Sequence, residues 1–182
     1  MKKIRRIPLH QRKIDLNGFL RDDKLFDLEA ELLDTKNYDV PNHDRGEIIA
    51  GEPIHKMRIL LTIDKEMFIK KAKAETFFSP FNVCKKANDK FKKLEGLQIK
   101  SGWRREVNKF IGNVDGCTHI REMLNALATV AFQTIQGHHS KISRESVKKI
   151  NTTNKPSLLG SCHAFSPKSE VVKRMWPDWY QS

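Results

Sequence analysis

Cysteine and long apolar runs are both scarce in this sequence. It has three cysteines among 182 residues and no apolar stretch near the roughly 20 residues that a membrane-spanning helix needs. An odd number of widely spaced cysteines does not suit a disulfide framework. The basic N-terminal segment is not followed by the apolar stretch of a secretory signal. We therefore expect a protein of the reducing cytoplasm with no membrane partner.

The short signatures of several common enzyme classes are also missing. The sequence contains no GxxxxGK[ST], GxGxxG, GxSxG or HExxH motif, which argues against P-loop, Rossmann, α/β-hydrolase and zinc-protease chemistry. It also lacks the close CxxC pairs that make a zinc site easy to recognise. Any site must therefore be assembled from residues that are far apart in the chain.

The net charge of +12 is unevenly distributed. Residues 1–21 carry a net charge of +6, and residues 22–47 carry −6. The acidic cluster in the second segment consists of Asp22, Asp27, Glu29 and Asp34. On a strand, Asp27 and Glu29 would share one face. Cation binding is one interpretation of this cluster, but pairing with the basic N-terminal segment is favoured because the two charges are opposite.

A second basic region lies in a predicted helix over residues 83–95. Four lysines fall near one side of it: Lys85, Lys86, Lys90 and Lys93. Four apolar residues fall on the other: Val83, Ala87, Phe91 and Leu94. The pattern favours a solvated helix face. A surface for nucleic acid or an acidic partner is the alternative.

Hydrophobic periodicity predicts strands before helices. Alternation predicts strands over residues 9–20, 25–33, 54–63 and 67–77, although Glu and Ala in residues 25–33 also suit a helix. We expect a bulge or turn at Asn17-Gly18 and a long loop over residues 34–53. Apolar spacing of three or four predicts further helices over residues 102–111, 117–135 and the C-terminal EVVKRMW. The polar residues 136–161 are predicted to form a loop, with one helical turn near residues 143–150. This order indicates an α+β fold, with helices on one face of an antiparallel sheet of about three to five strands.

We expect the chain to form a single domain, residues 1–182. Its parts would be N-terminal strands and a loop (1–53), a core of hairpin and helices (54–135), and a loop with a C-terminal helix (136–182).

The strongest candidate site is Cys117 with His119, in DGCTH at the predicted start of a long helix. A cysteine at a helix N-terminus is more readily converted to the nucleophilic thiolate. His119 could act as a base or a metal ligand. The further candidates are Cys84, the adjacent pair Cys162-His163, and His55 in GEPIHKM, although each alone is more often a packed residue. Thiolates and imidazoles suit zinc or an iron–sulfur cluster, so both are candidate cofactors.

Several motifs together resemble a known family. GEPIHKM (51–57), DGCTHIREML (115–124), AFQT (131–134), SCHAF (161–165) and EVVKRMWP (170–177) are similar, in this order, to a bacterial family catalogued as a domain of unknown function. The family often reads HL after GCT, where this chain has His119-Ile120. The resemblance implies a soluble single domain and names no activity.

The order of elements from Lys56 to Ile135 also resembles the iron–sulfur scaffold and sulfur-acceptor fold of the NifU and SufE type. Cys117 would match the scaffold cysteine that opens a later helix. The scaffold's cysteine after the hairpin has no counterpart near residues 78–80, and Cys84 is displaced from that place.

Three functions remain open from the sequence. The first is a metal- or sulfur-handling module using Cys117 and His119. The second is an enzyme or small-molecule binder with a pocket near Cys117. The third is a basic module that binds nucleic acid or an acidic partner.

Overall fold

The computed structural model describes residues 4–145 and 155–182, and for residues 139–145 it describes the backbone alone. The strands are β1 (His10–Leu20), β2 (Phe26–Lys36), β3 (Val40–Asn42), β4 (Gly46–Ile48), β5 (Pro53–Ile63) and β6 (Ile69–Phe78). The α-helices are α1 (Trp103–Ile111), α2 (Thr118–Glu145) and α3 (Glu170–Met175). Three 3-10 helices cover Asn82–Leu94, Asn113–Asp115 and Pro177–Trp179.

The chain divides into two compact units, Met1–His139 and Ser140–Ser182. The first contains all six of these strands together with α1. The second contains α3, whose first turn is capped by the hydroxyl of Ser169 accepting the N–H of Val172 at 3.1 Å.

Four antiparallel strands form the main sheet in the order β1-β2-β5-β6. The short strands β3 and β4 pair with each other in the connection between β2 and β5. The α+β class expected from the sequence is confirmed. Strand β2 is longer than predicted, because it continues to Lys36. Part of the segment predicted as a loop, residues 34–53, also forms strands.

The core lies on one face of this sheet. Alternate residues of β2 and β5 are buried there: Phe26, Leu28, Ala30, Leu32, Met57, Ile59, Leu61 and Ile63. The same cluster contains the predicted apolar stripe of α2: Ile120, Met123, Leu124, Leu127, Ala131 and Ile135. Burying each large aliphatic side chain contributes about 1.5–3 kcal/mol, so this contact fixes the start of α2 against the sheet.

The predicted bulge or turn at Asn17-Gly18 is wrong. The pairing of β1 with β2 runs without interruption from His10↔Lys36 to Leu20↔Phe26. A side chain at Gly18 would overlap the hydroxyl of Thr134 in α2. Glycine is therefore present because the helix passes close to the strand, and not because the strand bends.

The segment predicted as a helix over residues 83–95 is a 3-10 helix rather than an α-helix. With three residues per turn, Asn88, Phe91 and Leu94 fall on one side. Phe91 and Leu94 are buried, and Asn88 accepts a hydrogen bond of 2.9 Å from the hydroxyl of Thr76 in β6. Val83 was expected on the buried side but is 62% exposed, because it lies on a different row of this tighter helix.

Helix α2 is longer than the predicted 117–135 and reaches Glu145, so residues 136–145 are not a loop. The exposed Gly137 and the polar residues after it interrupt the apolar periodicity, so the sequence pattern does not predict this part of the helix. Glycine and polar residues can nevertheless adopt helical backbone conformation. The predicted turn near residues 143–150 falls largely outside the described residues. No described helix is both long enough and apolar enough to cross a membrane.

Candidate functional site

Three neighbouring strands place polar side chains side by side on the core face of the sheet. Arg12 pairs with Asp34 across β1 and β2, and Asp34 pairs with His55 across β2 and β5. Asp34 continues the buried alternation of β2, and His55 continues that of β5. The row lies where the apolar core ends, so one end of the core face is polar.

Asp34 is the centre of this polar row, with its side chain 1% exposed. Arg12 donates from Nε to Oδ1 and from Nη2 to Oδ2, each at 2.7 Å. His55 Nδ1 lies 3.0 Å from Oδ2, and His10 Nε2 lies 3.6 Å from Oδ1. The paired hydrogen bonds from Arg12 fix the carboxylate plane, because guanidinium and carboxylate match in geometry.

The start of α2 adds His119 to the same place. Its Nε2 lies 3.8 Å from Oδ2 of Asp34. The rings of His55 and His119 lie against each other, with centroids 3.8 Å apart and planes tilted by 33°. The burial of Ile120 and Met123 holds this first turn of α2 on the sheet and directs His119 towards Asp34.

Burial and charge set the ionisation of the three groups. Burial disfavours the charged form of Asp34, but the hydrogen bonds and charge of Arg12 outweigh burial and hold its pKa below the usual range. Burial, with the neighbouring His119, lowers the pKa of His55. Burial and the charge of Arg12 lower the pKa of His119. At pH 7 the carboxylate is therefore ionised and both imidazoles are neutral.

These three side chains offer a set of ligand atoms. One atom each from Asp34, His55 and His119 lies within 4.8 Å of the other two. Ligands about 2.0–2.2 Å from one metal ion are about 3–3.5 Å apart, so small side-chain movements would bring all three onto an ion. Two imidazoles and a carboxylate are a donor set that proteins use for zinc and for non-haem iron.

Cys117 lies beside this group but outside it. Its Sγ is 3.7 Å from Nδ1 of His119 and 3.9 Å from the sulfur of Met57. Cys117 directly precedes α2, and its carbonyl accepts the N–H of Arg121. The thiol therefore lies near Nδ1 of His119, whereas Asp34 lies near Nε2 of the same ring.

A cleft of about 520 Å³ opens onto the site, and His55, Cys117 and His119 lie in its wall. Cys84, at the start of the 3-10 helix Asn82–Leu94, lines the same cleft. The volume lies within the range of small-molecule sites. The structure thus brings four of the predicted metal or thiolate site residues (Cys84, Cys117, His55 and His119) to one cavity.

The remaining candidates are divided between the two units of the chain. Cys162 and His163 are exposed and belong to the unit Ser140–Ser182. Asp22 is exposed in the turn after β1, while Asp27 and Glu29 lie on the sheet face away from the core. Of the lysines, Lys86 and Lys90 line the cleft, and Lys85 and Lys93 do not.

The predicted pairing of the acidic segment with the N-terminal segment is observed in part. Arg12 pairs with Asp34, and Arg21 lies 3.4 Å from Asp27. Glu29 instead pairs with Arg58 of β5 at 2.9 Å.

In the sequence, Asp34 belongs to the acidic cluster, and no motif joins it to the histidines. Arg12 and His10 were not site candidates. The alternation of β2 carried the missing signal, because extending Phe26, Leu28, Ala30 and Leu32 by two residues puts a carboxylate on the core face.

Comparison with curated proteins and with solved structures finds no match to this chain. A family model described as a protein of unknown function (DUF2889) matches residues 10–133. The match runs from the start of β1 to residue 133 in α2 and includes Arg12, Asp34, His55 and His119. The chain therefore belongs to the DUF2889 family, and the polar row on its sheet lies inside the matched region.

Proposed function

We propose that this domain binds a divalent transition-metal ion through Asp34, His55 and His119 and presents it to a small molecule in the adjoining cleft. The convergence of one carboxylate and two imidazoles within 4.8 Å carries the proposal. Three protein ligands leave coordination positions open for water or a substrate oxygen, as in catalytic rather than structural metal sites.

The Arg12 contact is compatible with a metal at this place. A carboxylate oxygen has two lone pairs, and Arg12 uses one on each oxygen of Asp34. The second lone pair of Oδ2 faces Nδ1 of His55 at 3.0 Å, so an ion bound by both atoms would displace a proton from between them. A separation of 3.0 Å is also that of two ligands on one metal. Arg12 would orient the ligand, at the cost of placing a positive charge near the cation.

Cys117 fits the role of an outer partner in this arrangement. A histidine that binds metal through one ring nitrogen commonly donates its other N–H to a neighbouring acceptor. With Nε2 of His119 near Asp34, Nδ1 faces Sγ of Cys117 at 3.7 Å. In this arrangement Asp34 binds the metal, and Cys117, a candidate ligand from the sequence, contacts His119 instead.

The test is metal stoichiometry and affinity. We expect purified protein, stripped by chelator and reloaded with Zn²⁺ or Co²⁺, to retain one ion per chain by elemental analysis. His55→Ala and His119→Ala should lose it, while His43→Ala, at an exposed histidine in the β3–β4 turn, should retain it. Retention of the ion by both site variants, or no retention by the parent protein, would contradict the proposal.

The absorption spectrum of the Co²⁺ form distinguishes a site made of Asp34, His55 and His119 from one that includes the sulfur of Cys117. Nitrogen and oxygen ligands give weak visible bands, whereas a thiolate adds an intense charge-transfer band. We expect no such band and an unchanged spectrum in Cys117→Ser. A charge-transfer band lost in Cys117→Ser would place sulfur on the metal, as in the ligand set that combines Cys117 with His119.

A second candidate function uses Cys117 as a nucleophile. Its thiol, His119 and Asp34 form a chain with steps of 3.7 and 3.8 Å, the order of a nucleophile, a base and an orienting carboxylate. This function predicts that iodoacetamide modifies Cys117 faster than the exposed Cys162, and that His119→Ala removes the difference. Peptide mapping by mass spectrometry measures both rates, and slower modification of Cys117 would reject it.

A further inference from the structure

The cleft beside the polar row has an apolar wall that solvent reaches. Phe81, Val83 and Val114 line it and are 49%, 62% and 96% exposed. Met57 and Ala87 extend this wall inwards. Large apolar side chains left exposed around a cavity indicate a surface that an apolar group covers.

The same cleft carries an excess of positive charge. Lys86 and Lys90 both line it. Lys90 is neutralised by Asp115, whose Oδ1 lies 2.8 Å from its Nζ. Lys86 forms no ion pair with any residue that the structure describes. Lys86 is therefore an exposed cation of the cleft lining without an acidic partner among the described residues.

The first turn of α2 adds to this polarity. Thr118 and His119 line the cleft, and the first N–H groups of an α-helix have no acceptor within the helix. The positive end of the helix dipole thus faces the cavity. An unpaired lysine, this helix end and an apolar wall together suit a molecule that joins an apolar body to one negative group.

We propose that the cleft binds a small organic acid, with its carboxylate paired to Lys86 and its apolar body against Phe81, Val83 and Val114. One unpaired ammonium balances a single carboxylate better than a doubly charged phosphate. The assignment of this acid as a substrate of the metal site rests on the proposed function. Binding of the acid itself needs only the cleft.

The experiment compares matched ligands on metal-free and metal-loaded protein. The probes are 3-phenylpropanoate, hexanoate and 3-phenylpropanamide, which has the shape of the first acid without its charge. Titration by calorimetry or by NMR should show the phenyl acid binding about fivefold to tenfold more tightly than its amide. Equal binding of acid and amide, or binding of neither acid, would overturn the inference.

A pair of adjacent lysines supplies the matched variants. Lys86→Gln should weaken binding of the acid about fivefold to tenfold and leave the amide unchanged. Lys85→Gln removes the same charge from the neighbouring residue, which does not line the cleft, and should change neither. Equal losses in the two variants would show a general charge effect and reject a carboxylate at Lys86.

The outcomes for metal and acid can be told apart. If His55→Ala loses metal but still binds the acid in a Lys86-dependent way, the cleft inference holds independently. If the protein binds metal but neither acid, the inference fails and the proposed metal site stands. If acid binds and the parent protein holds no metal, the proposed function fails and the cleft remains a binding site.

Discussion

Arg12 and Asp34 face each other across β1 and β2 and are joined by two hydrogen bonds of 2.7 Å. The side chain of Asp34 is buried, whereas that of Arg12 is 37% exposed. Arg12 is therefore the positive charge that allows an ionised aspartate beneath the helix layer. Any chemistry at His55 and His119 depends on a group that an edge strand holds in place.

Removing the guanidinium should destabilise the fold. Arg12→Ala leaves the buried carboxylate of Asp34 without its main partner, and we expect a loss of about 1–3 kcal/mol in the free energy of unfolding. Urea denaturation measures it. Lys13→Ala, at the neighbouring residue on the other face of β1, should cost less than about 0.5 kcal/mol.

A double variant checks the cause of that loss. Asp34→Asn removes the charge that Arg12 balances, so adding it to Arg12→Ala should recover part of the lost stability. Strictly additive losses would show that the two side chains do not act as a pair.

The sequence predicted the layout of the fold better than it predicted the site. The stripe from Ile120 to Ile135 and the alternation of β5 report burial directly, so both elements were found. The 3-10 form of Asn82–Leu94 was not found, because an apolar stripe at spacings of three and four fits both helix types.

Only part of the site was predicted from the sequence, for a related reason. Cys117 and His119 stand out because they are rare residue types at a helix start. Asp34 looked like one acid among several, because nothing in the local sequence states which residues pair across strands. The register that aligns Arg12, Asp34 and His55 is a tertiary property.

Gly18 should tolerate no side chain. An added Cβ would overlap the hydroxyl of Thr134, so we expect Gly18→Ala to cost about 1–3 kcal/mol of stability. Asn17→Ala, one residue away and on the opposite face of the strand, is the control. Thermal and urea unfolding compare the two.

The overlap between a side chain at residue 18 and Thr134 can also be tested by changing Thr134 in α2. Thr134→Ala removes the hydroxyl and methyl groups that the new Cβ would meet, although Thr134 Cβ itself stays close. In the Thr134→Ala background the cost of Gly18→Ala should fall, and an unchanged cost would contradict the close approach of β1 and α2.

At Gly137, unlike Gly18, an added side chain should increase the stability of the protein. It lies inside α2 and is exposed. Among the residues that the structure describes, and apart from its chain neighbours and the backbone of α2, no atom lies within 4 Å of the place where a Cβ would stand. Gly137→Ala should stabilise the protein by about 0.5–1 kcal/mol, because alanine loses less backbone entropy in a helix. A higher urea midpoint with an unchanged slope would agree. A destabilised variant would contradict a helix that continues through residue 137.

Asp64, in the turn between β5 and β6, should make the stability of the protein depend on pH. Its Oδ1 accepts the N–H groups of Glu66 and Phe68 at 3.0 and 2.9 Å, and its Oδ2 lies 2.7 Å from Nζ of Lys70. Burial opposes ionisation, but the contacts with Lys70 and Phe68 outweigh it and lower the pKa of Asp64. The folded state therefore favours the ionised carboxylate more than the unfolded state does.

The lowered pKa fixes the sign of the effect. Above the unfolded pKa of about 3.9 the charge contributes fully to stability, and the contribution is lost as the pH falls through the folded pKa. Asp64→Asn keeps an acceptor oxygen but removes the charge, so it should cost about 0.5–1.5 kcal/mol at neutral pH. The difference from the parent protein should shrink in acid, because both side chains are then neutral. Urea denaturation across the acid range measures this, with the exposed Glu66→Gln as control, and a difference that stays constant with pH would exclude the charge of Asp64 as its source.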